Sequence, residues 1–259
     1  MANADDMVIA ECHELFIAGF EWMASVVPGG RAERVGGVRM VRTDLPGFNL
    51  LFAFRPPGPL RAVFESLERL YSGSKIPWSL VTIPQMKEMM MPLIHDLGLS
   101  RIRDEPGMLL DPLPPSCPSP PHGLDIRRVT SREEMHTLVR TAEVGFGAPP
   151  GMMEVLADGL ADAAGGGSLQ GGCYLGYYGG RPVSTSLRFT KGKMAGVFLV
   201  ATLPEFRRRG FGEAMTWRAA MDGRSEGCVS SVLQSSEMGQ PVYEKIGYRT
   251  FVTYELWTK

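Results

Sequence analysis

The nine residues Met194-Ala-Gly-Val-Phe-Leu-Val-Ala-Thr202 carry no charge and no proline. A run this short cannot span a bilayer, and it is apolar at both alternating sets of positions. It therefore reads as a strand covered on both faces, at the centre of a sheet. Its neighbours fit that place. Upstream, Gly172–Tyr178 and Pro182–Phe189 flank Gly179-Gly180, a strong hairpin signal. Before them, Leu124–Val129 alternates like an edge strand, and Thr130-Ser131-Arg132-Glu133-Glu134 offers a helix N-cap followed by acids. The helix is expected to run to about Val144, with a second over Met152–Leu160. Downstream come an arginine-rich turn, a helix over Gly210–Gly223, a strand Val229–Gln234, a helix ending near Lys245 and a last strand Arg249–Trp257.

The clearest seam lies between Asp111 and Gly123, where six prolines exclude helix and leave few donors for a sheet. With 259 residues to divide, the expectation is an N-terminal α/β domain over 1–111, a linker over 112–123 and a second domain over 124–259. The first domain mixes helical stretches (Cys12–Ala24, Leu60–Tyr71, Gln85–Leu97) with short strands at Asn49–Phe54 and Trp78–Thr82. It ends in a helix, Leu97-Gly98-Leu99 and a strand near Met108–Leu110. The chain's end, Ile246-Gly247-Tyr248 before its last strand, echoes that joint. The echo raises the question of a duplicated fold.

Composition narrows the function classes. Hydrophobic residues at 44% and charged ones at 21% are those of a folded, soluble protein. Lys plus Arg (27) nearly balances Asp plus Glu (28), so no global field draws the chain to nucleic acid or an anionic membrane. Cys12, Cys117, Cys173 and Cys228 are scattered, which argues against a disulfide scaffold and a zinc cluster and for reduced thiols in the cytoplasm. The acidic N-terminus does not read as a secretory signal, and no apolar stretch is long enough to cross a membrane. His13, His95, His122 and His136 are isolated from one another, and HExxH, CxxC and Walker-type loops are absent, so no metal is expected.

Chemistry concentrates in Arg207-Arg208-Arg209-Gly210-Phe211-Gly212. Placed between the most apolar strand and an alanine-rich helix, this segment sets backbone N–H groups at a helix N-terminus, where the dipole favours an anion. Gly210 and Gly212 lack a Cβ, so a diphosphate can approach the main chain, and three arginines add charge.

Val200 through Gly212 resembles the acyl-CoA signature of the GNAT N-acetyltransferases, whose core, Gln/Arg-x-x-Gly-x-Gly/Ala, is met by Arg207, Gly210 and Gly212. Val242-Tyr243-Glu244-Lys245-Ile246-Gly247-Tyr248 resembles a second element of that family at the expected distance. The resemblance covers about residues 124–259. It implies a mixed, mostly antiparallel α/β (α+β) sheet flanked by helices, with the N-terminal half a candidate degenerate copy in a tandem arrangement. It also implies acetyl-CoA, or another acyl-CoA, as co-substrate. Main-chain groups of Val200, Ala201 and Thr202 would pair with pantetheine, and amides of Arg207, Arg208, Arg209, Gly210, Phe211 and Gly212 would hold the diphosphate. By the same resemblance the Val200 amide polarises the thioester carbonyl and Tyr243 protonates the departing thiolate. Ser236 stands where many relatives have a cofactor-contacting asparagine.

Many relatives also carry a glutamate on the central strand, and Met194–Thr202 has none. Glu237, in the loop after the following strand, is the candidate base, beside the plainer reading of an acid in the first turn of a helix. The implied activity is transfer of an acetyl or short acyl group to a small-molecule amine in a ternary complex. A non-catalytic acyl-CoA sensor and an enzyme taking its acyl group from a carrier protein stay open. So do the acceptor's identity, a homodimer formed through the last strand, and whether Trp22, Phe52, Phe54 and Trp78 line the acceptor pocket or the core.

Overall fold

The computed structural model describes residues 4–43, 45–73, 76–167 and 169–259. In chain order the elements are α1 (Ala4–Val26), β1 (Arg31–Val35), β2 (Val38–Arg42), β3 (Leu50–Ala53), α2 (Leu60–Tyr71), β4 (Ser79–Thr82), α3 (Pro84–Asp96) and β5 (Ser100–Leu110). Then follow β6 (Leu124–Arg128), α4 (Arg132–Phe146), α5 (Glu154–Gly165), β7 (Gly171–Tyr178), β8 (Arg181–Lys191), β9 (Met194–Thr202), a 3-10 turn (Pro204–Phe206), α6 (Phe211–Ser225), β10 (Ser230–Gln234), α7 (Gln240–Ile246) and β11 (Arg249–Thr258). The central strand, the glycine hairpin and every C-terminal helix stand where the sequence put them. The hairpin turn holds Gly179 and Gly180 at φ 59° and 78°, a geometry that matches strand twist and suits glycine at both positions. Strands β1 and β2 were not anticipated, since Arg31-Ala-Glu-Arg-Val has no clean alternation.

The chain folds into two compact units that do not divide at the proline-rich segment. One comprises Met1–Gly19 and Met108–Arg249, the other Phe20–Gly107 and Thr250–Lys259. The expected boundaries at 111 and 124 are corrected accordingly. Asp111–Gly123 is no free spacer: Leu113 is buried in a core cluster with Met215 and Leu233, and its N–H donates to Val229 O at 2.7 Å. A hydrophobic residue among the prolines pulls the segment onto the sheet.

In the first unit β6, β7, β8 and β9 pair antiparallel in turn, and β10 joins β9 in parallel. The start of α1 packs on this sheet: a Cβ on Gly19 would stand 2.7 Å from the Phe198 ring, and one on Gly196 would stand 2.3 Å from Leu15. The opposite face carries α6 and α7 over a core of Tyr174, Ala195, Val197, Met215 and Leu233.

In the second unit β1, β2 and β3 pair antiparallel, β4 runs parallel to β3, and β11 pairs antiparallel with β4. Its core gathers Leu51, Val63, Leu70, Leu80, Met90 and Leu93. The two halves of the sequence repeat one order: three antiparallel strands, helix, parallel strand, helix, strand. Each takes in a strand from the other half of the sequence. β11, the last strand of the C-terminal half, lies beside β4, while Met108–Leu110, ending the N-terminal half's β5, sits in the unit of β10. The fold is thus α/β with a duplicated topology, and β11 finds its partner within the chain.

The core of the second unit therefore depends on residues far along the chain. Leu256 is 4% exposed and faces Val81 in register. Leu256→Ala is expected to lower stability by about 2–5 kcal/mol, as a large core truncation does. Urea denaturation followed by fluorescence checks this, and a loss below about 0.5 kcal/mol, the usual range of a surface change, would contradict it.

Candidate active site

The site begins where two parallel strands part. β9 and β10 pair from Met194 with Ser230 to Val197 with Leu233, and the pairing stops there. Beyond Val197, β9 keeps only β8, with Ala201 opposite Thr185 and Thr202 opposite Ser184. One residue of β8, Ser186, faces both Leu199 and Val200, so β9 bulges. Leu199 takes φ 50°, a rare conformation for a bulky side chain, held by a 2.7 Å hydrogen bond from Thr185 Oγ1 to its carbonyl. The bulge turns the strand away from β10 and leaves one main-chain edge of Phe198–Thr202 without a strand partner.

Past Thr202 the chain makes a 3-10 turn and enters α6 through Arg208 and Gly210, both left-handed at φ 62° and 77°. The first intrachain backbone bond on α6 is Ala214 N–H to Gly210 O at 3.0 Å. Among the described residues, the N–H groups from Arg208 to Glu213 find no acceptor in the chain. Six donors across this turn and the first residues of α6 make a cradle suited to an anion. A Cβ on Gly212 would meet only Thr202 Oγ1, at 3.8 Å, so the approach is open.

The three arginines do different things. Arg207 turns away from the cradle: Nη2 donates to Gly145 O at 2.7 Å and Nε to Thr202 O at 3.3 Å. The Arg209 guanidinium lies over Phe206 and Tyr178, 5.3 and 5.7 Å from the ring centroids. Arg208 is exposed and makes no ion pair among the described residues. Arg208 and Arg209 are thus left to supply charge, and the Arg207 side chain, expected to add charge with them, is engaged with backbone carbonyls instead.

Across the opening, Tyr243 on α7 is 8% exposed and packs edge-on against Tyr248, centroids 6.1 Å apart. Tyr248 is fixed by a 2.7 Å hydrogen bond with Ser231 Oγ, which donates to Ala195 O at 2.9 Å. Burial pushes the Tyr243 phenol up to about 12, so it is a held proton at neutral pH. Ser236 and Tyr243 are brought together at Gly239, where a Cβ would stand 3.4 Å from Ser236 Oγ and 3.0 Å from the Tyr243 ring. Ser236 Oγ is already engaged, accepting from Gly239 N–H at 3.2 Å. Glu237 is exposed and makes no hydrogen bond or ion pair among the described residues.

Two residues outside the sequence expectations join this region. Gln234 ends β10 where β9 has left it, and its Nε2 is buried without a partner. Glu143 on α4 is 2% exposed and accepts N–H bonds from Gly151 and Met153, ordering the loop before α5. Single polar residues in amphipathic or alternating runs give no sequence signal for such roles. Of the aromatic residues considered for an acceptor pocket, Phe52 and Phe54 belong to the core of the second unit. Trp78 lines a cavity of about 350 Å³ there with Tyr71, Leu97, Leu99 and Lys259.

The matching position in the second unit is built differently. All four residues of β3 pair with β4, so nothing opens. The connection to α2, Phe54-Arg-Pro-Pro-Gly-Pro59, contains three prolines, which lack the N–H groups an anion needs.

Residues 125–251 match the family model of the acetyltransferase (GNAT) domain. That stretch is a GNAT acetyltransferase domain. Glucosamine 6-phosphate N-acetyltransferase of Trypanosoma brucei brucei is 38% identical over 64 residues, 24% of this chain and 44% of that protein. The chain therefore matches less than half the length of that curated relative. Among solved structures, a GCN5-related N-acetyltransferase from Kribbella flavida superposes with a TM-score of 0.69 at 18% identity, over 95% of each chain. A tandem GNAT protein from the clavulanic acid biosynthesis pathway gives 0.62 at 13% identity, over 96% of this chain and 95% of that one. At these identities the likeness is one of fold, and it extends over the N-terminal half. Among the described residues no group of His, Cys, Asp or Glu is suited to a metal, and no helix is long and apolar enough to cross a membrane.

In this GNAT domain the Tyr243 phenol has its folded pKa raised above the ordinary value near 10, to about 12. Between those values the native state holds a proton that the unfolded chain has lost, so its contribution to stability falls as pH rises from about 10 to 12. Tyr243→Phe is expected to flatten that part of the stability curve and leave it unchanged below about pH 9. Denaturation midpoints measured from pH 8 to 12 test this; identical alkaline slopes in both proteins would refute it.

Proposed function

We propose that the chain is an acyl-CoA-dependent N-acyltransferase that moves an acetyl or other short acyl group to a small-molecule amine by direct attack in a ternary complex. The carrying observation is the row of unengaged amides from Arg208 to Glu213, set beside the unpaired edge of β9 past Val197. Free N–H groups at a helix N-terminus suit a diphosphate, and a free strand edge suits an arm that contains amides. A pantetheine diphosphate presents both in sequence. In this reading the edge of Val200, Ala201 and Thr202 takes the pantetheine. The amides of Arg208, Arg209, Gly210, Phe211 and Gly212 take the diphosphate, and the Arg208 and Arg209 side chains strengthen the field; the Arg207 amide, expected to join them, is already bonded to Pro204 O.

The chemistry requires a neutral amine, stabilisation of the tetrahedral oxyanion and a proton for the departing thiolate. The Val200 amide, held in a bulged and rigid strand, polarises the thioester carbonyl. Tyr243 keeps its proton at neutral pH and donates it to the sulfur as the carbon–sulfur bond breaks; the phenolate left behind is the stronger base and recovers a proton from solvent. Glu237, exposed beside Ser236, takes the amine's proton directly or through water. Ser236 accepts from Gly239 N–H, which shapes the start of α7, and its O–H stays free to donate to the cofactor.

Glucosamine 6-phosphate stands first among acceptors to try, because the partial relative bears its name. A second reading, an acyl-CoA sensor without turnover, draws on the lack of any acid on β9. Calorimetry with acetyl-CoA and desulfo-CoA is expected to give micromolar binding at one site per chain, since the second unit offers no cradle. Gly210→Glu, which places a charged side chain at φ 77° in the cradle, is expected to weaken it at least about a hundredfold. Absence of binding by the wild-type protein would overturn the reading, and binding without turnover on any amine would favour the sensor.

A further inference from the structure

We propose that Arg207 is a positioning residue that clasps the C-terminal turn of α4 to the anion cradle, so that occupancy of the cradle sets the order of the loop between α4 and α5. The inference rests on the proposed function only for the identity of the anion. Its structural basis is independent of that.

Three links converge on the turn Glu143–Gly147. Gly145 lies so close to β9 that a Cβ there would stand 2.7 Å from Ala201 Cβ and 3.2 Å from Thr202 N, so the turn packs directly against the end of the strand. Gly145 O accepts from Arg207 Nη2 at 2.7 Å, while Arg207 Nε reaches Thr202 O at 3.3 Å. One guanidinium thus bridges the end of α4 and the end of β9. Carbonyls at a helix C-terminus carry partial negative charge, and a fixed cation suits them. Finally, the buried Glu143 carboxylate accepts N–H bonds from Gly151 and Met153, and Glu143 O accepts from Ala148 at 2.9 Å. The loop after α4 is thus tied by three hydrogen bonds to the turn that Arg207 holds.

Arg207 is also the residue from which the cradle starts, with its own N–H bonded to Pro204 O at 3.3 Å. An anion seated on the amides of Arg208–Glu213 stiffens the segment that carries the clasp, and the stiffening passes through Gly145 and Glu143 to residues 148–153. Exposed Val144, Phe146 and Val155 border that loop and would be presented in one arrangement once it is ordered.

Hydrogen exchange read by mass spectrometry tests the clasp without knowledge of the acceptor. In the unliganded protein, Arg207→Met is expected to speed exchange over 147–154 about ten- to a hundredfold, while β7 and β8 keep wild-type protection. Desulfo-CoA is expected to protect both 207–214 and 147–154 in the wild type but only 207–214 in Arg207→Met. Its dissociation constant and salt dependence should stay within about threefold of wild type, because amides hold the diphosphate. Arg207→Lys, which keeps the charge but reaches one carbonyl, is expected to restore part of the loop protection. Glu143→Gln provides a second variant, expected to loosen 149–154 with unchanged donor affinity. A tenfold or greater loss of desulfo-CoA affinity in Arg207→Met with the loop unaffected would make the guanidinium a phosphate ligand and overturn the clasp. Exchange rising evenly over β7, β8 and α6 would also overturn it. Failure of the wild type to bind desulfo-CoA would count against the acyl-CoA reading alone, since the comparison without ligand still reads the clasp.

Discussion

The arrangement of the site depends on β9 and β10 ceasing to pair after Val197. A parallel ladder satisfies main-chain groups in strict succession, so a strand that leaves it must find other partners or expose its edge. Here the bulge at Leu199 rotates β9 outward, and Thr185 holds the rotated carbonyl. The edge that remains is polar, extended and fixed by β8 on its other side. The same departure aims the chain into the turn before α6, where Arg208 and Gly210 in left-handed geometry point a run of N–H groups outward. One local failure of pairing thus generates both halves of the proposed donor site.

The second unit is instructive because it repeats the order of strands and helices without the site. Its β3 pairs with β4 along its whole length, and prolines occupy the connection that would have to supply donors. The contrast separates fold from chemistry: the same topology carries a cradle only where backbone donors are left unsatisfied. The second unit also takes its last strand from the far end of the chain. Leu256 and Tyr254 therefore serve a core otherwise built from residues before Gly107.

Buried polar groups divide the labour around the opening. Tyr248 and Ser231 fix one wall, and burial holds a proton on Tyr243 beside it. Arg207 and Glu143 fix the other wall by bonding to backbone rather than to solvent. Ser231, Tyr248 and Glu143 are buried groups of the kind that costs stability when left unpartnered, and each has its partner, while Arg207 is half-buried.

The sequence by itself determined the elements of residues 124–259 and the anion loop, because these follow from short-range rules. An apolar nine-residue run must be buried, a Gly-Gly pair suits a tight hairpin, and glycines at a helix start leave main-chain donors accessible. Tyr243, Ser236 and the loop amides were named as candidates through resemblance to a spaced motif. Only tertiary structure decided that the Arg207 side chain reaches Gly145, 62 residues away. It also decided that Glu143 orders a loop, that the proline segment packs through Leu113, and that β11 completes the unit of the N-terminal half. These outcomes depend on which distant backbone carbonyls and apolar faces remain to be satisfied once the sheet has formed. That competition is settled by three-dimensional proximity and has no signature in local spacing.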